Sequence, residues 1–511
     1  MKISRILHAG YVFESGGTQI LFDPIVENPF SRNCHAFPDV RFDLDQVRQL
    51  TPAAIFISHF HDDHCSFDSL HLLPRTTPVY LYCLFDELFA MLRELGFSNV
   101  QSLAIDAPVH VGGFEIIARR ALDDEVDSMF HIRAEGLNVL NVVDAWMDPQ
   151  TLEQLKAYAP WDMVLWPFQT MREVDVIAPG RARRKETAPS LAPAPVSASA
   201  SAPVSAPALG IASVCAAQPL PDDWPEQLQA LAPRYVVPSS CQFVQEPWSW
   251  YNHAMFPITY RQFAQEVGTW LPDAQVVRLN PSVAFELSAQ DLTPAAPLPW
   301  VLPVGDQDVD FEYDPAITPP PTADIARRFA ALTAEQMALV LDFCQRGLLQ
   351  KYEEMELPDD SYFIEPRIWQ LTVYDHDGAG QRFRYRIHGD SIEHDCIEAS
   401  RIDSDGGEGD STESDRIEAS GLGAGSIKAD RIEAASIAPA DAPSLGWTTE
   451  IPAAKLYAGL ALGESLTSMY VRIAGAPADA DIADDPLIRC LFNDAFGAYQ
   501  AAQLRRLKET A

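Results

Sequence analysis

The chain has 511 residues, with 37 Lys and Arg against 72 Asp and Glu, a formal net charge of -35, and 47% hydrophobic residues. This composition excludes a wholly disordered chain, and at roughly 100–200 residues per domain it leaves room for two or three domains. The negative balance argues against a broad nucleic-acid or anionic-membrane footprint, because both need Lys and Arg to neutralise phosphates.

Eight Cys are scattered along the chain without CxxC spacing. That rules against a zinc ribbon or thioredoxin motif, and the cysteines are too sparse for a disulfide scaffold. No signal-like apolar run follows Met1, and no apolar stretch reaches the roughly 18 residues of a membrane span. A cytoplasmic protein is expected.

In chain order, YVFES and TQILFD, joined by Gly16-Gly17, predict a hairpin. AAIFIS (53–58) is an unbroken apolar run that predicts a buried strand. VYLYC (79–83), FEIIAR (114–119), MFHIR (129–133), LNVLNVV (137–143) and DMVLWPF (162–168) predict further strands, and ELFAMLREL (87–95) a helix. An Ala/Ser/Pro tract, about 181–215, reads as an extended insertion within a first domain of residues 1–295. Beyond it, WPEQLQALAP and ITYRQFAQEVGTWL predict helices, YVVPSS a strand, and VVRLNPSVAFEL (276–287) a closing strand-like run. A Pro/Asp-rich connector (296–321) then leads to a second, smaller α+β domain (322–511). That domain opens on a helix (323–349), carries the hairpin IWQLTVYD/RFRYRIHG and ends in a helix over LIRCLFNDAFGAYQAAQLRRLK. An acidic tract with a five-residue period (about 388–440) reads as an insertion without chemistry.

The chemistry concentrates directly after AAIFIS. His59-Phe60-His61-Asp62-Asp63-His64 spells HxHxDH. Two imidazoles two residues apart in extended chain point the same way and can share one metal ion; Asp63 and His64 can turn toward a second. Nitrogen and carboxylate donors suit Zn²⁺, Fe or Mn²⁺.

With LHAGYVFESGGTQILFDP ahead of it, including Asp23-Pro24, this motif resembles the metallo-β-lactamase superfamily. The branch it is most similar to contains L-ascorbate-6-phosphate lactonase and N-acyl-phosphatidylethanolamine phospholipase D. The resemblance covers roughly residues 1–290 without the insertion and implies an α/β fold, an αββα sandwich with the metal site at one edge. It further implies that His59 and His61 bind a first metal and Asp63 and His64 a second. Asp144, at the end of LNVLNVVD, would bridge them; that stretch also resembles a strand of CMP-N-acetylneuraminate hydroxylase.

Two departures from the family stand out. Its third His is missing from Leu122–Ser128, where Asp124 or Asp127 could substitute as a carboxylate ligand. Ser240 stands where a late His is expected; His253 could supply that imidazole, or Trp248, Trp250 and Tyr251 could make the segment an aromatic-lined loop wall instead. His8 could face the site or pack; His110 and His131 read as structural.

The implied function is a metal-dependent hydrolase in which one or two divalent ions, zinc first, activate water toward an ester, lactone, amide or phosphoester of a small organic molecule. Asp63 would orient the water or shuttle its proton. The alternatives are an iron-dependent oxygenase-like enzyme, which would need electrons from elsewhere because the chain has no iron–sulfur motif, and a non-catalytic metal-binding protein that recruits a protein partner through its C-terminal domain.

Overall fold

The structure is a computed structural model, describing residues 1–123, 127–179, 219–355, 357–358, 361–396, 401–402, 445–477, 480–492 and 497–510. The Ala/Ser/Pro tract, most of the five-residue-period tract and Asp124 lie outside these residues.

The chain divides into two units. The first comprises Met1–Pro320, Lys455–Arg472 and Leu491–Ala511; the second comprises Pro321–Ala454 and Ile473–Cys490. The sequence expectation assigned all of 322–511 to the second domain, whereas two late stretches pack with the first unit.

Two large sheets form the frame of the first unit, beside two small two-stranded ones. The eight-stranded sheet runs in the order Leu292–Ala295, Ala284–Leu287, Lys2–Arg5, Tyr11–Ser15, Thr18–Phe22, Ala54–Ile57, Val79–Leu81, Val100–Ser102. The seven-stranded sheet runs Gln275–Val276, Tyr235–Ser239, Met163–Pro167, Leu137–Asn141, Ser128–Ala134, Phe114–Arg120, Pro108–Val111. Every expected strand of residues 1–180 is present. Gly16 and Gly17, at φ 55° and 80°, make the tight turn of the first hairpin. Ala54–Ile57 is buried along its whole length and pairs in parallel on both sides, as its unbroken apolar run requires.

One core lies between the sheets. Phe13, Phe22 and Phe56 from the first meet Phe130, Ile132, Val139 and Leu165 from the second. Phe56 stacks on Phe22 at 5.2 Å and on Tyr80 at 4.9 Å. These rings anchor the strand that delivers the HxHxDH turn.

Three expected elements are divided. The run 276–287 splits between the two sheets as Gln275–Val276 and Ala284–Leu287, because Asn280-Pro281-Ser282 interrupts it and Ser282 takes a left-handed φ of 73°. The helix expected over 323–349 breaks after Ala326 and restarts at Thr333, whose side chain forms a capping box with Gln336. The C-terminal helix becomes Pro486–Phe492 and Ala498–Thr510. In the second unit, Arg367–Tyr374 and Gly380–His388 form the expected hairpin. The start of the five-residue-period tract extends that sheet as Ser391–Cys396 and Arg401–Ile402. Among the described residues no helix is long and apolar enough to cross a membrane.

Replacing Phe56 by Ala is expected to lower the unfolding free energy by about 3–5 kcal/mol, read by chemical denaturation, through lost burial and the cavity left between the sheets.

Candidate metal centre

The strand Ala54–Ile57 ends at the sheet edge, and the next residues close into a turn. The amides of His64 and Cys65 donate to the carbonyl of His61 at 3.1 and 2.8 Å. Ser66 then caps the short helix Phe67–Leu70. The turn faces residues from three other places: His8 after the first strand, Asp127 before Ser128–Ala134, and Asp144 beyond Leu137–Asn141. Two ligand-competent groups result, His59–His61–Asp127 and His8–Asp63–His64–Asp144, each with donor atoms within 4.8 Å of one another.

The separations match those of neighbouring ligands on one ion. At metal–ligand lengths of about 2.0–2.2 Å, ligand atoms subtending 90–109° stand about 2.8–3.6 Å apart. His59 Nε2 lies 2.9 Å from His61 Nδ1 and 3.6 Å from Asp127 Oδ1. His8 Nε2 lies 3.2 Å from His64 Nε2 and 3.0 Å from Asp63 Oδ2. Asp144 stands between the groups, with Oδ2 3.1 Å from His64 Nε2 and Oδ1 3.9 Å from His59 Nε2. Asp127 Oδ1 and Asp144 Oδ1 are buried yet have no hydrogen-bond partner among the described residues. A buried carboxylate oxygen left unbonded is strongly unfavourable unless a cation satisfies it. The residues therefore fit divalent metal ions.

Outer partners orient the ligands. Asp23 is buried; its carboxylate accepts from the Ser58 amide at 2.8 Å and the Ser58 hydroxyl at 2.7 Å, and lies 3.0 Å from His64 Nδ1. Ser58 Oγ lies 2.9 Å from His59 Nδ1. The Ser128 hydroxyl donates to the Ser58 carbonyl at 2.9 Å, tying the strand that follows Asp127 to the motif. Val143, a β-branched residue, takes φ 63° just before Asp144, a strained backbone that turns the carboxylate inward.

Electrostatics follow from burial and crowding. Burial, with the neighbouring charge of His64, lowers His59 to about 4. Desolvation by the surrounding atoms, with His59, lowers His61 as well, to about 4, although the residue is exposed. Both imidazoles are thus neutral with lone pairs available, as metal binding requires. Burial, reinforced by Asp144, raises Asp127 to about 7. Asp144 is held well below the usual carboxylate range: burial works against its charge, but His64 and His59 outweigh it. His64 is raised for the reciprocal reason, since the carboxylates of Asp144 and Asp63 overcome its burial. One face stays open. His8, His59 and His64 are buried, whereas the side chains of Asp63, Asp127 and Asp144 are 21%, 17% and 22% exposed.

Of the expected residues, His59, His61, Asp63, His64 and Asp144 converge. Of the two carboxylates weighed for the missing third His, Asp127 is brought to His59 and His61, and Asp124 lies outside the described residues. His253 is not brought there: it is exposed on Tyr251–Ala254, with Nδ1 3.1 Å from the Glu312 carbonyl. His8 joins the second group instead, and Ser240 is buried and bonded to the Ser239 carbonyl. Trp250 and Tyr251 are buried, Trp248 stacks on Tyr470 at 5.3 Å, and the segment is internal packing. His131 packs against Tyr158 and Trp161, and His110 is exposed beside Glu115. A third grouping, Asp375, His376 and Asp377, is the tip of the second unit's hairpin.

Residues 2–194 match the family described as the beta-lactamase superfamily domain. A metal-dependent hydrolase of Pyrobaculum islandicum is 30% identical over 113 residues, covering 22% of this chain and 43% of the relative. The chain thus spans less than half the length of that relative. Among solved structures, the metallo-hydrolase Igni18 of Ignicoccus hospitalis aligns over 56% of this chain and 99% of its own, at 18% identity and a TM-score of 0.36. CmlA, a diiron β-hydroxylase of Streptomyces venezuelae, aligns over 55% of this chain and 53% of its own, at 16% identity and a TM-score of 0.34. The HxHxDH turn lies inside the matched stretch, the part of the chain that resembles the metallo-β-lactamase superfamily.

Proposed function

We propose that the chain is a metal-dependent hydrolase acting on an ester, lactone, amide or phosphoester of a small organic molecule. The observation that carries this reading is the pair of adjacent ligand groups with Asp144 between them. His59, His61 and Asp127 would hold one cation, and His8, Asp63 and His64 the other, with Asp144 shared. Bound there, divalent cations supply Lewis acidity toward a water and toward the carbonyl or phosphoryl oxygen under attack. Asp63 has a second task. Its Oδ2 is engaged 3.0 Å from His8, whereas Oδ1 stands off His64 at 3.7 Å. Asp63 Oδ1, the less engaged oxygen, would take a proton from the attacking water and pass it to the leaving group.

A second reading, an iron-dependent oxygenase, is favoured by one feature. With Asp127 in place of an imidazole, the first group becomes two His and one carboxylate, a set that suits non-haem iron(II). Metal content separates the two. Two equivalents of zinc or manganese, with turnover in a screen of esters, lactones, amides and phosphodiesters, support hydrolysis. Stoichiometric iron without hydrolytic turnover supports oxygen chemistry. A protein that binds no metal and loses nothing on His61→Ala overturns both readings.

Two further outcomes are expected. Asp63→Asn should lower kcat/KM by roughly a hundredfold or more and weaken the second cation in a chelator competition, because Asp63 is both proton acceptor and ligand. Asp127→Ala should lower metal stoichiometry or affinity in a chelator competition, whereas His253→Ala should leave both unchanged.

A further inference from the structure

The turn that carries the proposed ligands is held by a helix more than four hundred residues away in sequence and within the same unit. Gln500, on Ala498–Thr510, is 2% exposed. Its Nε2 donates to the carbonyls of Phe60 and Cys65, both at 2.8 Å. These two carbonyls bracket the residues His61 to His64. A carboxamide has two N–H donors, so one side chain can tie both ends of the turn.

Three residues on, along the same helix face, Gln503 is 1% exposed. Its Oε1 accepts from the Phe67 amide at 2.7 Å, and its Nε2 donates to Ser66 Oγ at 2.9 Å and Asp68 Oδ2 at 3.2 Å. Burying an amide side chain is unfavourable unless its polar atoms are bonded. Here the bonds given to both glutamines all go to the segment from Phe60 to Asp68. The helix also has contacts that bypass the ligand turn: Arg506 pairs with Asp68, and Lys508 with Glu94.

We propose that Gln500, seconded by Gln503, is a positioning residue of the metal centre, fixing the backbone on which His61, Asp63 and His64 are presented. The proposal rests on the metal-binding reading above. It differs from mere docking of a helix, for which Arg506 would serve as well as Gln500.

The test is a Co²⁺ titration of the metal-free full-length protein, reading affinity by chelator competition and ligand geometry from the visible d–d bands. Gln500→Met keeps the shape and removes both donors. It should bind Co²⁺ about tenfold more weakly than wild type, as loss of an outer-shell partner does, and show altered bands. Gln503→Met should shift both in the same direction, and Arg506→Ala should match wild type. Thermal melts of the metal-free variants report folding. If Gln500→Met does not fold, Gln503→Met carries the test against the same Arg506→Ala control. Wild-type affinity and bands in the folded glutamine variant, or an equal weakening in Arg506→Ala, would overturn the proposal. Failure of wild type itself to bind Co²⁺ would instead overturn the metal-centre reading.

Discussion

The arrangement of the centre depends on one buried carboxylate. Asp23 leaves the strand Thr18–Phe22 at a left-handed φ of 39°, with its amide still bonded to the carbonyl of Phe56 at 2.9 Å. That turn aims its side chain under the HxHxDH segment. Its oxygens can only accept, so Ser58 gives Asp23 both its amide and its single hydroxyl proton. Ser58 Oγ can then only accept from His59 Nδ1, and His64 Nδ1 must likewise carry a proton to face Asp23. In their neutral, metal-binding forms both imidazoles then carry their lone pairs on Nε2, the atoms that converge on Asp144. One carboxylate sets the tautomer of a ligand in each group.

This dependence explains what could be read from the sequence. HxHxDH is legible because its ligands are local: a buried strand, a two-residue spacing and a tight turn suffice to place His59, His61, Asp63 and His64 together. Asp144 was legible for a similar reason, as an acid ending an apolar run. Asp127 could be narrowed only to a choice among acids in one loop, since composition does not say which faces inward. His8 carries no local mark. It joins because its strand lies in the same sheet as Ala54–Ile57, two strands removed, and its left-handed φ of 48° turns it toward Asp63. His253 looked suitable because it follows the strand Tyr235–Ser239, yet the intervening chain spends itself on aromatic packing around Tyr470 and leaves the imidazole outside.

The two glutamines were the least legible of all. On Ala498–Thr510 they look like ordinary polar residues of a surface helix. Only the tertiary fold shows that this helix belongs to the first unit, along with Lys455–Arg472, rather than to the stretch that precedes it. The late segments bring further bonds to the first unit. Tyr470 donates to Glu246 at 2.6 Å, and within Lys455–Arg472 itself the Lys455–Glu464 ion pair is buried. The first unit is therefore complete only when chain from both ends has folded together.

The charge of the site bears on which chemistry it favours. Asp63, Asp127 and Asp144 are the acids of the two ligand groups, and the four histidines with them are neutral donors when they coordinate. Two divalent cations against three carboxylates leave one positive charge, where a third imidazole in place of Asp127 would leave two. The more negative shell makes each cation a weaker Lewis acid toward water and stabilises a higher oxidation state of a redox-active metal. With two cations bound, Asp127 would leave the centre less acidic than a third imidazole would, beside the open face at Asp63, Asp127 and Asp144. A substrate that brings its own negative oxygen, such as a phosphoester or carboxylate-bearing lactone, would meet a centre with little positive charge to spare. A neutral ester or amide would meet no such penalty.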